Sequence, residues 1–272
     1  SYITSLQPDK KKEYIQKITF LIQQLESLIP KGYSGACWGY DFDWESRNAR
    51  IPAYQPTIVA TGIITNALFL CYKLTGLKKA FTLCQSACNF VLNDLNRTEE
   101  NGYYCFSYSP FEKEQVYNAS MKGVRLLSQV YSVTSENTLL REAHKAAYFV
   151  INHQNNDGSW FYGNRGNAKW IDNYHTGYIL ECLNIYARIF NDSLAVNSVN
   201  KGFKYYQNNF IEPQGIPKMY PYKLCPVDST SGAQSIIVLV NLNNIELAKQ
   251  VSLWLVNNMQ SKKGYFYYRK YR

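Results

Sequence analysis

The sequence predicts an all-α protein, an α/α toroid of stacked helical hairpins, and three observations predict it. First, four segments share small or polar residues, then a glycine, then an apolar run: TIVATGIITNALFLCY (57–72), NASMKGVRLLSQVY (118–131), DNYHTGYILECLNIY (172–186) and DSTSGAQSIIVLV (228–240). Their glycines, Gly62, Gly123, Gly177 and Gly232, lie 61, 54 and 55 residues apart. A glycine inside a helix costs about 1 kcal/mol relative to alanine, so four in register point to helices crowded against one another. Second, amphipathic helices alternate with these segments. Third, each amphipathic helix leads into a loop of glycine and clustered aromatics. Repetition at such a period means hairpins sharing one continuous core.

Taken in order, the first amphipathic helix covers about 9–29, where Ile15, Ile18, Ile22 and Leu25 recur at three- and four-residue spacing. It runs into GACWGYDFDW (35–44), and the first glycine-bearing helix follows. The amphipathic helices near 78–95, 138–154, 194–210 and 245–260 lead in turn into NGYYCFSY (101–108), DGSWFYG (157–163), QGIPKMYPY (214–222) and KGYFYYRKY (263–271). A linear solenoid explains the hairpins equally well. Polar residues opening every second helix favour a closed ring, in which those helices are the inner barrel and their N-termini surround a cavity. The chain stops inside an aromatic loop where another inner helix is due. The expectation is therefore one domain over 1–272, either a five-hairpin barrel or a six-hairpin ring lacking a terminal helix.

With 272 residues and 46% apolar content the chain can bury a sizeable core. No window reaches the roughly 18 uninterrupted apolar residues of a membrane span, and the first residues have no apolar signal core. The 29 basic and 20 acidic residues give a charge of +9, spread along the chain. Such an excess favours anionic partners, or is a solvated basic surface. Seven cysteines, several inside apolar helical stretches and none in a CxxC pair, read as reduced core thiols of a cytoplasmic protein. No nucleic-acid-binding motif and no phosphate-binding glycine loop occurs, so neither nucleic acid nor a nucleotide cofactor is implied, and no cofactor is expected.

Known patterns enter at specific residues. Lys145, Ala146, Phe149, Val150, Gln154, Gly158 and Trp160 resemble the QW repeat of terpenoid cyclases, with a weaker second copy at Leu255, Val256, Gln260, Gly264 and Phe266. The motif has a structural explanation: the glutamine bonds backbone at a helix end while the aromatic covers the next turn. The order GYDFDWESR (39–47), QPTIVATGIITNAL (55–68), QNNDGSWFYG, WIDNYHTGYILECL and DSTSGAQSI resembles bacterial polysaccharide-biosynthesis proteins of the capsule and biofilm type. WIDNYHTGYILECL is also similar to the YHxxH-type segment in the C-terminal helical domain of glucuronyl C5-epimerases, with Tyr178 where the second histidine falls. DSTSGAQSI is similar to an inner helix of unsaturated glucuronyl hydrolases. These resemblances imply an α/α toroid acting on glycans.

The candidate catalytic groups are Asp172, Tyr174, His175, Tyr178 and Asp228. Asp172 sits at an N-cap position with His175 three residues on, so both lie near one helix mouth. A helix N-terminus favours a neutral imidazole, as a general base requires. Asp172 and Asp228 also read simply as caps. His144 and His153 read as surface or packing residues, and with His175 alone at a helix mouth no metal site is expected. Asp41 and Asp43 read as substrate contacts, or as an acid and base pair for glycoside cleavage. Trp38, Trp160 and Trp170 offer rings on which a pyranose can stack, or pack between hairpins. Arg47, Arg50, Lys122 and Arg165 can pair with a uronate or phosphate, and Asn118 can donate to its carboxylate.

The leading functional expectation is an enzyme acting on an anionic, uronate-type polysaccharide or its lipid-linked precursor. Epimerisation or elimination uses His175 or Tyr174 as base, Tyr178 as second proton carrier, and Arg47, Asn118 or Lys122 to neutralise the carboxylate. Hydrolysis uses a carboxylate pair drawn from Asp41, Asp43, Asp172 and Asp228. The second expectation is a non-catalytic glycan-binding or assembly protein of the same pathway. Terpenoid-type chemistry, a third, is disfavoured by the polar helix starts.

Overall fold

A computed structural model describes residues 8–45, 50–164 and 166–271. Its described residues form nine α-helices: α1 (Pro8–Ser27), α2 (Ile58–Thr75), α3 (Lys78–Asn93), α4 (Tyr117–Thr134), α5 (Asn137–Asn152), α6 (Asn173–Phe190), α7 (Ser193–Phe210), α8 (Ser229–Asn241) and α9 (Ile245–Met259). Three antiparallel two-stranded ribbons join them: β1 (Trp44–Glu45) with β2 (Arg50–Ile51), β3 (Arg97–Glu100) with β4 (Tyr103–Phe106), and β5 (Val227–Asp228) with β6 (Arg269–Lys270). The five amphipathic and four glycine-bearing segments all appear as helices. The chain divides into two compact units, residues 1–114 with 122–146, and residues 115–121 with 147–272.

In the first unit α2 is set by its caps. Thr57 accepts from Ala60 N at 3.1 Å, and Gly76 takes the left-handed conformation that closes the C-terminus. By length and apolar composition α2 is one helix able to cross a membrane. Thr61 and Thr65 are fully buried along it, and Arg125 of α4 donates to Gly62 O at 2.8 Å. A Cβ at Gly62 would lie 2.6 Å from Lys122 Cβ, and one at Gly123 would lie 2.8 Å from Ile58 Cδ1. These two glycines therefore let α2 and α4 approach closely, the crowding their register predicts. Burial pushes the Cys37 and Cys84 thiols up to about 12, the nearby Asp94 adding to the effect at Cys37 and Cys71 at Cys84. Such thiols stay protonated and unreactive. All seven cysteines are free.

In the second unit α6 packs on α7 and α8, and α8 on α9. A Cβ at Gly177 would lie 2.8 Å from Gln234 Cγ, and one at Gly232 would lie 2.8 Å from the methyls of Leu255. Asp172, Asp192, Asp228 and Asn244 cap the starts of α6, α7, α8 and α9 with their side chains. Beneath the start of α6 lies a fully buried polar node. Tyr206 OH donates to Asn173 Oδ1 at 2.6 Å, and Asn173 Nδ2 donates to Ser235 Oγ at 3.1 Å and to Lys218 O at 2.9 Å. Every partner in that node is bonded, so it fixes α6, α7, α8 and the 215–226 loop to one another without an unpaired buried group.

Candidate functional site

The site is built on the first turn of α6. Asp172 has extended backbone and is 3% exposed, and its Oδ1 accepts from His175 N at 3.0 Å as the cap. Oδ2 accepts from Trp170 Nε1 at 2.9 Å and lies 2.6 Å from His175 Nδ1. An ionised carboxylate only accepts, so Nδ1 carries the hydrogen, and the neutral form of this ring has its lone pair on Nε2. The imidazole side chain is 21% exposed and ringed by phenols. Tyr162 meets it edge-on at 4.6 Å, Tyr174 at 4.3 Å and Tyr178 at 6.3 Å between centroids. Trp170 stacks on Tyr162 at 4.3 Å, which holds the indole that holds Asp172.

Tyr174 belongs to the same cluster. Burial raises its phenol far above the ordinary tyrosine range, and the charges of Asp172 and Asp228 with the phenols of Tyr220 and Tyr268 add to the shift. A phenol raised in this way is held in its protonated, hydrogen-bond-donating form.

Asp228 opens α8 in the way Asp172 opens α6, yet with different partners. Its Oδ1 accepts from Thr230 N at 2.9 Å and Ser231 N at 3.2 Å, and its Oδ2 from Arg269 Nε at 3.0 Å. It is 2% exposed. Cap and ion pair fill three of the roughly four lone-pair positions of this buried carboxylate, which gives Asp228 a structural part in anchoring β6 to the start of α8.

The other predicted contacts divide sharply. Trp160 is 1% exposed, its Nε1 donating to Val150 O at 2.9 Å, and Trp38 is 2% exposed, its Nε1 donating to Leu25 O at 2.7 Å. Both indoles are enclosed by their own units, which corrects the expectation that they stack on sugar. Trp170, predicted as a stacking platform, is half-buried, with its Nε1 on Asp172 and one face on Tyr162. Lys122 is 2% exposed within the first unit, so its cation is not offered at a surface. Asn118, 3% exposed in the second unit, has a buried Oδ1 with no hydrogen-bond partner among the described residues. Asp41 lies on a bend and Asp43 directly before β1, both in the first unit, and Asp43 Oδ1 accepts from Ala53 N at 2.8 Å to close the turn before α2. Arg50 is exposed on β2 opposite Glu45. Arg47 and Arg165 lie outside the described residues.

Tyr162, Tyr220, Tyr268 and Arg269 join the cluster without having been singled out as site residues. Their signal in the sequence is membership of the aromatic loops, which marks a segment but not which ring turns toward α6.

No family model matches this chain, and no curated protein matches it significantly. Solved structures do match. Cellobiose 2-epimerase from Bacillus thermoamylovorans superposes with a TM-score of 0.71 at 13% identity over 91% of this chain and 72% of that one. An α-mannanase of Bacteroides thetaiotaomicron gives 0.70 at 10% over 95% and 73%. Unsaturated glucuronyl hydrolase from Bacillus sp. GL1 gives 0.60 at 11% over 82% and 80%. At these identities the likeness is one of architecture, and it shows that the chain has the α/α-toroid fold.

Proposed function

We propose that this protein is an enzyme that removes a carbon-bound proton from an anionic, uronate-type glycan, epimerising it or eliminating across the adjacent bond. One observation carries the reading: the 2.6 Å contact between Asp172 Oδ2 and His175 Nδ1 on a partly exposed imidazole among phenols, an arrangement in which Nε2 acts as the base. Asp172 orients the ring and stabilises the imidazolium that forms when Nε2 takes the proton. Tyr174, kept protonated by its burial, donates a hydrogen bond to the developing oxyanion, and Tyr178 is the second proton carrier.

The state of the carboxylates favours this chemistry over hydrolysis. Asp172 and Asp228 each accept three hydrogen bonds, so the two do not form the free acid and base pair that glycoside cleavage uses. Neighbours of the same fold include an epimerase, a polysaccharide lyase and glycoside hydrolases, which supports a carbohydrate substrate without choosing the reaction. We place the activity in the synthesis of a polysaccharide or its lipid-linked precursor in the cytoplasm, a setting in keeping with seven free cysteines. A non-catalytic glycan-binding role has one observation in its favour, that Asp172 is needed as the α6 cap whatever His175 does.

Incubation with heparosan and with polygalacturonate in deuterated water tests the proposal. Wild-type protein is expected to place deuterium at C5 or to form an unsaturated product, and His175→Ala to lower that rate by about 100-fold or more. New saturated reducing ends would mean hydrolysis. No exchange with either polymer, or equal exchange by His175→Ala, would remove the assignment.

A further inference from the structure

Two loops of the second unit have a composition that the dyad does not explain. Residues 213–226 and 260–271 hold six tyrosines, five lysines and one arginine, and no carboxylate. Both loops are tied to helix starts at the site. Met219 O accepts from Asn173 N at 3.0 Å, and Tyr268 O accepts from Ser229 N at 3.1 Å, while β5 and β6 pair across Asp228 and Arg269.

The rings are turned outward. Tyr222 is 81% exposed and stacked parallel on Tyr220 at 5.7 Å, and Tyr268 is 65% exposed with the Arg269 guanidinium 4.8 Å from its centroid. Rings that open to water are held there by backbone: β-bridges join Tyr220 to Lys223 and Gln260 to Phe266, and Tyr267 N donates to Met259 O at 2.8 Å. Lys223 and Lys263 stand exposed beside them.

We infer that these two loops form a binding platform for a polyanionic glycan chain, separate from the reacting sugar at His175, so that the substrate is a polymer and not a free sugar. Flat phenol faces match the apolar faces of pyranose rings. Lys218 and Arg269 are paired with Glu212 and Asp228, and the exposed Lys223, Lys262 and Lys263 supply the counter-charges for carboxylates or sulfates spaced along a chain. A neutral glycan would use the rings and leave Lys223, Lys262 and Lys263 without a counter-charge, and a nucleic acid would use these cations without needing the site beside them. The inference rests on the reading of the His175 site as glycan-acting.

Affinity electrophoresis in gels containing heparosan, polygalacturonate or neutral dextran tests it at low and high salt. The wild type and His175→Ala are expected to be retarded equally by at least one polyuronate, in a salt-sensitive way, and by dextran weakly or not at all. Tyr222→Ala with Tyr268→Ala, and separately Lys223→Gln with Lys263→Gln, are expected to weaken retardation about tenfold, the effect of about 1.4 kcal/mol. Circular dichroism of the same variants confirms that they are folded. Equal retardation by dextran, no retardation by either polyuronate, or folded variants that bind like wild type would each overturn the platform. So would a self-association, seen by sedimentation, that the tyrosine substitutions abolish, because it would assign the face to a second copy of the chain. Polyuronate binding without proton exchange would defeat only the catalytic reading, and exchange unaffected by the four platform substitutions would defeat only this one.

Discussion

Residues 154–160 and 260–266 carry one pattern, a glutamine, a glycine four residues on and an aromatic two beyond that, and they make the same local turn. Gln154 Nε2 donates to Gly158 O at 3.0 Å, and Gln260 Nε2 to Gly264 O at 3.1 Å. Gly158 N and Gly264 N each donate three residues back at 2.9 Å, and both glycines have left-handed φ, +98° and +91°. Beyond the turn the copies part. Gln154 also bonds Ser198 twice, through Nε2 to its carbonyl at 3.0 Å and by accepting its hydroxyl at 2.8 Å. Trp160 lies at 1% exposure against Gly202, and a Cβ at Gly158 would stand 2.5 Å from Lys201 O. Phe266 is 44% exposed, and a Cβ at Gly264 would meet nothing within 4 Å. The turn is a property of the motif, and its burial in the first copy is a property of the helix packed against it, α7.

The largest test of that difference is truncation of the aromatics. Trp160→Ala empties a filled site and is expected to cost about 3–5 kcal/mol, whereas Phe266→Ala should stay within about 1 kcal/mol; denaturant melts of the two variants compare them directly. Alanine at the two glycines comes next. Both variants bear the strain of positive φ, but Gly158→Ala also drives a methyl into Lys201 O, so it should lose about 1–3 kcal/mol more than Gly264→Ala in the same assay. Equal losses would show that α7 yields at that contact.

Gly202→Ala probes the Trp160 contact from the helix side. A methyl there would sit 2.4 Å from the indole Cζ3, so a net loss of about 1–2 kcal/mol is expected despite the helix propensity gained. Trp160→Phe in the same chain should recover part of it, and additive losses would mean that the two residues do not press on each other. Smallest is the glutamine pair. Gln154→Ala leaves Ser198 short of two partners and should lower the melting temperature by a few degrees, about 1–2 kcal/mol, while Gln260→Ala should shift it by a few tenths of a kcal/mol.

Much of the fold is legible because its signals are local. Apolar spacing marks the helices, and the caps Asp172 and Asp228 and the crowding glycines 62, 123, 177 and 232 are visible one residue at a time. The pairing of Asp172 with His175 is legible for the same reason, as three residues along a helix start bring two side chains to one mouth. Arg269 on Asp228 is not, since 41 residues separate them and only the β5 and β6 pairing joins them. Trp38 and Trp160 mislead for a related reason. An indole in a glycine-rich loop suits sugar stacking and core packing equally, and nothing within the loop says which neighbour will cover it.

By itself, then, the sequence determined where helices start, where they crowd and which short-range contacts form, because propensity, capping and periodicity act over a few residues. Tertiary structure alone decided which aromatics were sealed and which left open, which carboxylates gained distant partners, and that the Tyr174 phenol would be raised. Those outcomes depend on desolvation and on charges brought close from distant parts of the chain, and neither quantity exists until the hairpins have packed.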